Sequence, residues 1–230
     1  MIDFWKRLDE IISPRGLKCL CCDELSYGEL LCSSCNKALK AIRLDLSEAS
    51  SGDLHSVYRY DGVAKSLVVQ LKEDCLEAAS EVLAEEMAQT VKELQLPENT
   101  IMTWVTMPEL RRRKRGIDHG KVICEAVSNL CGLKMKQLLT RTGKVRTQRG
   151  LNREKRLKNL TGTFKCDVSL TGPVLLVDDV LTTGATAAAC AEALTKAGAT
   201  RVIVLTATKA AQQRSWFEFG KAGLYGLYTS

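Results

Sequence analysis

No apolar run in the 230-residue sequence approaches the roughly 18 residues that a membrane-spanning helix needs. The first twelve residues, Met1 to Ile12, hold neither a continuous apolar stretch nor a small-residue cleavage site, so no secretion signal is expected there. They read instead as a short amphipathic helix over 2–12, with Phe4, Trp5, Leu8, Ile11 and Ile12 largely on one side. Without an export signal the ten cysteines are not expected to pair as disulfides, and a cytoplasmic protein is expected. Histidine is scarce: His55 and His119 are isolated and nominate no catalytic pair. Internal repeats and low-complexity tracts are missing. A P-loop is excluded, because Gly143-Lys144 is followed by Val145 and has Leu138 where the first glycine belongs. A dinucleotide-binding Gly-x-Gly-x-x-Gly is absent too.

The composition is that of a folded protein, 45% apolar and 26% charged. The formal charge of +6 is unevenly placed: between Arg111 and Lys158 stand 16 Lys or Arg against Asp118, Glu125 and Glu154. Such segregation suits a polyanionic ligand, either a pyrophosphate group or a nucleic-acid backbone, and a solvated basic face has the same composition. The segment holds no Phe, Trp or Tyr on which a base could stack, although a groove tracking a nucleic-acid backbone does not need one.

Two unequal parts are expected. Residues 1–50 carry the N-terminal helix and a dense cysteine cluster, and the polar stretch 47–53 reads as a linker. Residues 54–230 alternate short apolar runs with helical patterns. Strands are expected at Leu54–Tyr60, Ile101–Met107, Val174–Val180 and Arg201–Thr208. Helices are expected at Val63–Lys72, Cys75–Leu94, Lys121–Cys131 and Ala185–Ala197, the last closed by Gly198. That alternation predicts an α/β fold, a mostly parallel sheet with helices on its faces.

Val174–Val177 is an apolar run suited to a buried strand, and it ends in two carboxylates, Asp178 and Asp179, costly to bury unpaired. Thr182, Thr183, Gly184, Ala185 and Thr186 follow, then the alanine-rich helix. A small-residue loop between a strand's carboxyl end and a helix's amino end cradles phosphate through free backbone N–H groups and the helix dipole. Gly184 lets backbone approach closely. Carboxylates just before such a cradle can accept hydrogen bonds from vicinal hydroxyls, as on a ribose, or hold a Mg²⁺-bound ligand.

Cys19-x-x-Cys22 and Cys32-x-x-Cys35 are separated by nine residues, the spacing of two knuckles closing on one tetrahedral structural zinc ion. Cys21 is a spare beside the first knuckle. A redox pair is the alternative, but it would need only one Cys-x-x-Cys. Four thiolates leave no open position for chemistry, so the zinc would serve to fold a small lobe.

The apolar run, Asp-Asp, two apolar residues and Thr-Thr-Gly-Ala-Thr together resemble the phosphoribosyl-pyrophosphate (PRPP) motif of type I phosphoribosyltransferases. The resemblance implies that Asp178 and Asp179 bind the ribose hydroxyls as the candidate catalytic pair, while 182–186 wrap the 5′-phosphate. A four-cysteine knuckle ahead of such a motif is similar to the ComF family, linked to natural competence and DNA uptake. The likeness extends to the Pro-containing entry at 11–19, the segment 60–72 with Lys72, and 148–151, 156–159 and Phe164. By position Thr106, Met107, Pro108 and Glu109 would face pyrophosphate, and Arg115-Gly116 match directly, followed by Ile-Asp-His where the family has Phe-Asn-Gln. The basic arm, Arg111, Arg112, Arg113, Lys114 and Arg115, would neutralise departing pyrophosphate or contact single-stranded DNA. What the resemblance implies is thus a PRPP- and Mg²⁺-binding protein of DNA uptake, a glycosyltransferase if active, partnered by single-stranded DNA and a competence helicase and reaching the inner face of the membrane only through partners. A nucleobase-salvage phosphoribosyltransferase and a silent DNA or helicase scaffold are the alternatives.

Overall fold

The computed structural model describes residues 17–142 and 162–210. The expected amphipathic helix at 2–12, the family-like stretches 148–151 and 156–159, and the aromatic tail after 210 lie outside those residues.

The chain enters through the cysteine lobe and its helix α1, Ser33–Ala41, capped by Cys32. A short helix α2 (Leu46–Ala49) and strand β1 (Ser50–Ser51) follow. The stretch read as a linker is therefore structured. Ser50 pairs with His55 and Ser51 with Leu54 across a tight turn, and this hairpin edge gives the polar residues backbone partners that no side-chain pattern announces.

Strand β2 (Leu54–Arg59) leads through Asp61, whose carboxylate accepts from the N–H of Gly62, into helix α3 (Gly62–Val69). The helical pattern expected to reach Lys72 continues as a π-helical turn, Gln70–Asp74, which ends on Cys75 in the left-handed region at φ 57°. That conformation breaks the helix expected to start at Cys75, and α4 runs from Ala78 to Glu93. Strand β3 (Ile101–Trp104) stops short of the expected Met107, and Pro108 then precedes α5 (Glu109–Arg115), a basic helix with no apolar periodicity to reveal it. Helix α6 (His119–Cys131) is capped by Asp118, which accepts from the N–H of Lys121. Strands β4 (Thr140–Arg141) and β5 (Phe164–Lys165) form a separate two-stranded ribbon. The last three elements fall within a residue of expectation: β6 (Val174–Leu181), α7 (Ala185–Lys196) and β7 (Val202–Lys209).

The main sheet has the order β1-β2-β7-β6-β3, with β1 antiparallel and the rest parallel. Alternation along the central strands divides the apolar side chains between two cores. Leu175, Val177, Ile203 and Leu205 pack with residues of α3, α4 and α6. Val174, Leu176, Val202 and Val204 pack with α7, Leu138, Leu139 and Phe164. Cys19, Leu31, Cys32 and Leu39 of the cysteine lobe belong to the first core, so the lobe shares apolar contacts with the sheet domain. The architecture is a mostly parallel sheet with helices on both faces, carrying an N-terminal four-cysteine lobe, with β6 between β7 and β3.

Candidate functional site

Asp178 and Asp179 occupy the carboxyl end of β6, and strand alternation turns them to opposite faces. Asp179 is 4% exposed and points toward α3 and α6. Lys72 Nζ donates to its Oδ1 at 2.7 Å. His119 Nε2 lies 3.2 Å from its Oδ2 but is not aligned for a hydrogen bond, so Oδ2 and His119 Nδ1 are both buried and unpartnered. The π turn supplies Lys72, and α6 supplies His119 as its first residue. Such π insertions concentrate at functional sites because the extra residue re-aims the side chains around it. From the neighbouring strand, Thr208 Oγ1 donates to the backbone carbonyl of Asp179 at 3.0 Å, and Thr206 Oγ1 sits 2.7 Å from Ser56 Oγ. These hydroxyls satisfy one another in the interior and fix the strand end.

Asp178 is placed differently. Burial, then the charge of Asp179, push its pKa up to about 8, although the N–H of Asp179 donates to its Oδ1 at 2.9 Å. Among the described residues no cation pairs with it. His119 is held below the ordinary imidazole value by burial, which outweighs the pull of Asp179; Lys72 and Arg115 add to the lowering. The ring is therefore neutral near neutral pH.

Immediately beyond β6, Thr182 is exposed, Thr183, Gly184 and Thr186 are partly exposed, and Ala185 is buried. Gly184 caps α7 with φ 68°, a left-handed conformation that suits glycine. The N–H of Ala185 reaches Thr183 Oγ1 only at 3.5 Å, and the N–H groups of the first turn have no intrahelical acceptors. The loop thus offers hydroxyls and free amides, the donor types an oxyanion needs.

The other candidates divide. Val105 N–H donates to the carbonyl of Val177, which carries the loop 106–109 past the end of β6. Thr106 is buried and its hydroxyl has no partner; Met107 and Pro108 are half-buried. Glu109 is exposed and bound by Arg112 at 2.7 Å and Arg113 at 3.1 Å, which holds its carboxyl below the usual range. Arg112 and Arg113 line a surface groove between α4, α5 and α6 together with Glu77, Glu81, Glu85 and Glu125, and no residue of 178–186 lines it. Arg115 instead turns to Glu73 at 2.8 Å, in the neighbourhood of His119. The side chains of Arg111 and Lys114 lie outside the description.

In the cysteine lobe, the sulfurs of Cys19, Cys22, Cys32 and Cys35 lie within 4.8 Å of one another. The Cys22–Cys32 separation is 3.6 Å, against the about 3.8 Å edge of a tetrahedron with zinc–sulfur bonds of ~2.3 Å. The N–H of Cys21 points at Cys19 Sγ and that of Cys35 at Cys32 Sγ, each at 3.4 Å, bonds that stabilise thiolate charge. Burial raises Cys19, but these backbone and thiol neighbours bring it down to about 6. Cys21 is pushed up to about 11 by burial and stays a thiol against α3. The donor set fits one structural zinc ion held by the four expected cysteines, with the spare left out.

His119, isolated in the sequence, lies 3.2 Å from Asp179, and Lys72 of the family-like segment 60–72 is anchored on the same carboxylate. The available signal was the position of His119 directly after the Arg115-Gly116 match and its Asp118 cap.

No family model matches the chain. Among solved structures, adenine phosphoribosyltransferase from Leishmania tarentolae is 11% identical over 80% of this chain and 90% of its own, with a TM-score of 0.40. Glutamine PRPP amidotransferase from B. subtilis is 19% identical over 57% of this chain and 26% of its own, at 0.39. Scores this low carry no argument here. Curated sequences are closer. DNA utilization protein YhgH of Escherichia coli O6:H1 is 28% identical over 84% of this chain and 97% of its own length. Its counterpart in Salmonella typhimurium is 31% identical over 66% of this chain and 69% of its own. The chain belongs to the family of the DNA utilization protein YhgH.

Proposed function

We propose that the carboxyl end of β6 and the loop 182–186 bind PRPP together with Mg²⁺, and that the protein serves DNA uptake of the natural-competence type. In this reading 1–50 form a metal-built lobe and 54–230 a phosphoribosyltransferase domain. The observation that carries it is the continuity of the site: an acidic strand end without a cation on Asp178 runs directly into an open hydroxyl-and-amide cradle at Gly184. Asp178 would accept from the ribose hydroxyls, and Thr182, Thr183, Thr186 and the amides of Gly184 and Ala185 would hold the 5′-phosphate. Thr106 to Glu109 would border the pyrophosphate, where the unpartnered Thr106 hydroxyl awaits an acceptor. Mg²⁺ arriving with PRPP supplies charge neutralisation on the pyrophosphate; the cation-free carboxylate of Asp178 fits such a ligand. If transfer occurs, this chain orients the sugar, so that a base or amine attacks C1 as pyrophosphate departs. The similarity to DNA utilization proteins supports the link to DNA. Single-stranded DNA and a helicase belong to the proposal as partners that the basic arm would serve.

The test is calorimetric titration of Mg·PRPP into the zinc-loaded protein and into Asp178→Asn. Saturable binding that the variant loses supports the reading. Absence of heat and of competition in the folded wild type sinks it. Binding of single-stranded DNA that weakens steeply with salt separates the DNA-linked role from nucleobase salvage.

A further inference from the structure

We infer that the two adjacent aspartates do different work: Asp178 alone faces the sugar, while Asp179 is an internal counter-ion that positions Lys72, beside His119, for the pyrophosphate half of the ligand. This rests on the PRPP reading and deepens it.

One oxygen of Asp179 takes the Lys72 ammonium at 2.7 Å, its backbone carbonyl takes Thr208, and the other oxygen faces His119 at 3.2 Å without a hydrogen bond. A carboxylate that is 4% exposed and held by an ammonium has little freedom to leave for a ribose hydroxyl. Asp178, on the other face of the strand, lacks a cation and is partly open. Lys72 retains 25% side-chain exposure. Arg115, half-buried on Glu73, adds positive charge near His119. Two cations and a neutral imidazole thus gather beside the Asp179 side of β6, and Val105, bonded to the Val177 carbonyl, leads the loop 106–109 away from the same strand. Breaking a charge-assisted bond of this kind typically costs about ten-fold or more in affinity.

Two probes separate the halves of the ligand: Mg·PRPP, which carries pyrophosphate, and ribose 5-phosphate, which does not. Lys72→Met and Asp179→Asn are expected to weaken Mg·PRPP about ten-fold or more while changing ribose 5-phosphate less than about two-fold. Asp178→Asn is expected to weaken both. The double variant Lys72→Met, Asp179→Asn should bind Mg·PRPP no worse than either single variant, because the two residues act as one unit. It also removes the charge imbalance, so it serves if a single variant fails to fold; melting temperature and zinc content report folding. Lys72→Arg should recover part of the Mg·PRPP affinity. Equal losses for both probes in Asp179→Asn, or additive losses in the double variant, overturn the inference. Failure of the wild type to bind either probe overturns the PRPP reading instead.

Discussion

The cysteine lobe and the end of β6 are built from opposite resources. The lobe gathers four thiols within 4.8 Å around a site that only a cation can neutralise, and it lends few apolar residues to the core. At the end of β6 the chain itself neutralises Asp179 through Lys72, and Thr208 and Thr206 fix the backbone. One region thus has the donor set to take its order from a metal, while the other takes it from the sheet. They are joined at the π turn, where Gln70 Nε2 donates to the carbonyl of Leu20 in the first knuckle, two residues before Lys72.

Removing the metal should give the largest effect. Chelation of the zinc-loaded protein, or Cys22→Ser with Cys35→Ser, is expected to release the amides of 17–41 by at least about 3 kcal/mol of protection, leaving β6 and β7 protected. Exchange mapped by mass spectrometry checks this; uniform loss across the sheet would erase the contrast between the regions.

The converse blow falls on the sheet side. Gly198 follows α7 with φ +101°, and a Cβ there would sit 2.4 Å from the carbonyl oxygen of Leu170. Gly198→Ala is expected to destabilise the fold by about 2–3 kcal/mol in denaturant unfolding while the lobe keeps its zinc.

Asp178 gives a pH signature. Its pKa rises from 3.8 unfolded to about 8 folded, so the folded state binds more protons between those values and stability falls as pH rises through that window. Asp178→Asn should therefore stabilise the protein, by about 1–3 kcal/mol at pH 8 and progressively less toward pH 4, while binding is lost. Melting curves across that range check the sign; a gain that shrinks with rising pH would refute the cation-free placement.

Gln70→Ala tests the joint. Loss of its bond to Leu20, about 1 kcal/mol, should lower Mg·PRPP affinity a few-fold without releasing zinc. Smallest is Glu109→Gln: its partners Arg112 and Arg113 are exposed, and the melting temperature should not move.

Contiguous features were legible in the sequence. Strand, Asp pair, loop and helix from Val174 to Lys196 form one local unit, and the two cysteine knuckles announce themselves by spacing. Whatever the topology assembles was hidden. Lys72 lies 107 residues from Asp179, and the two meet because α3 and the π turn pack on the face to which Asp179 points. The π turn itself escaped because a helical apolar pattern does not register one inserted residue. Helix α5 escaped because nearly every residue in it is charged, and β1 because hairpin pairing at a sheet edge is a backbone matter.

The proposed ribose-phosphate cradle at the end of β6 is best probed by amide hydrogen exchange over 182–188 in the zinc-loaded protein, with and without saturating Mg·PRPP. At least about ten-fold slowing at Thr183 to Thr186 is expected, lost in Asp178→Asn. Unchanged exchange in that loop at millimolar Mg·PRPP would contradict it.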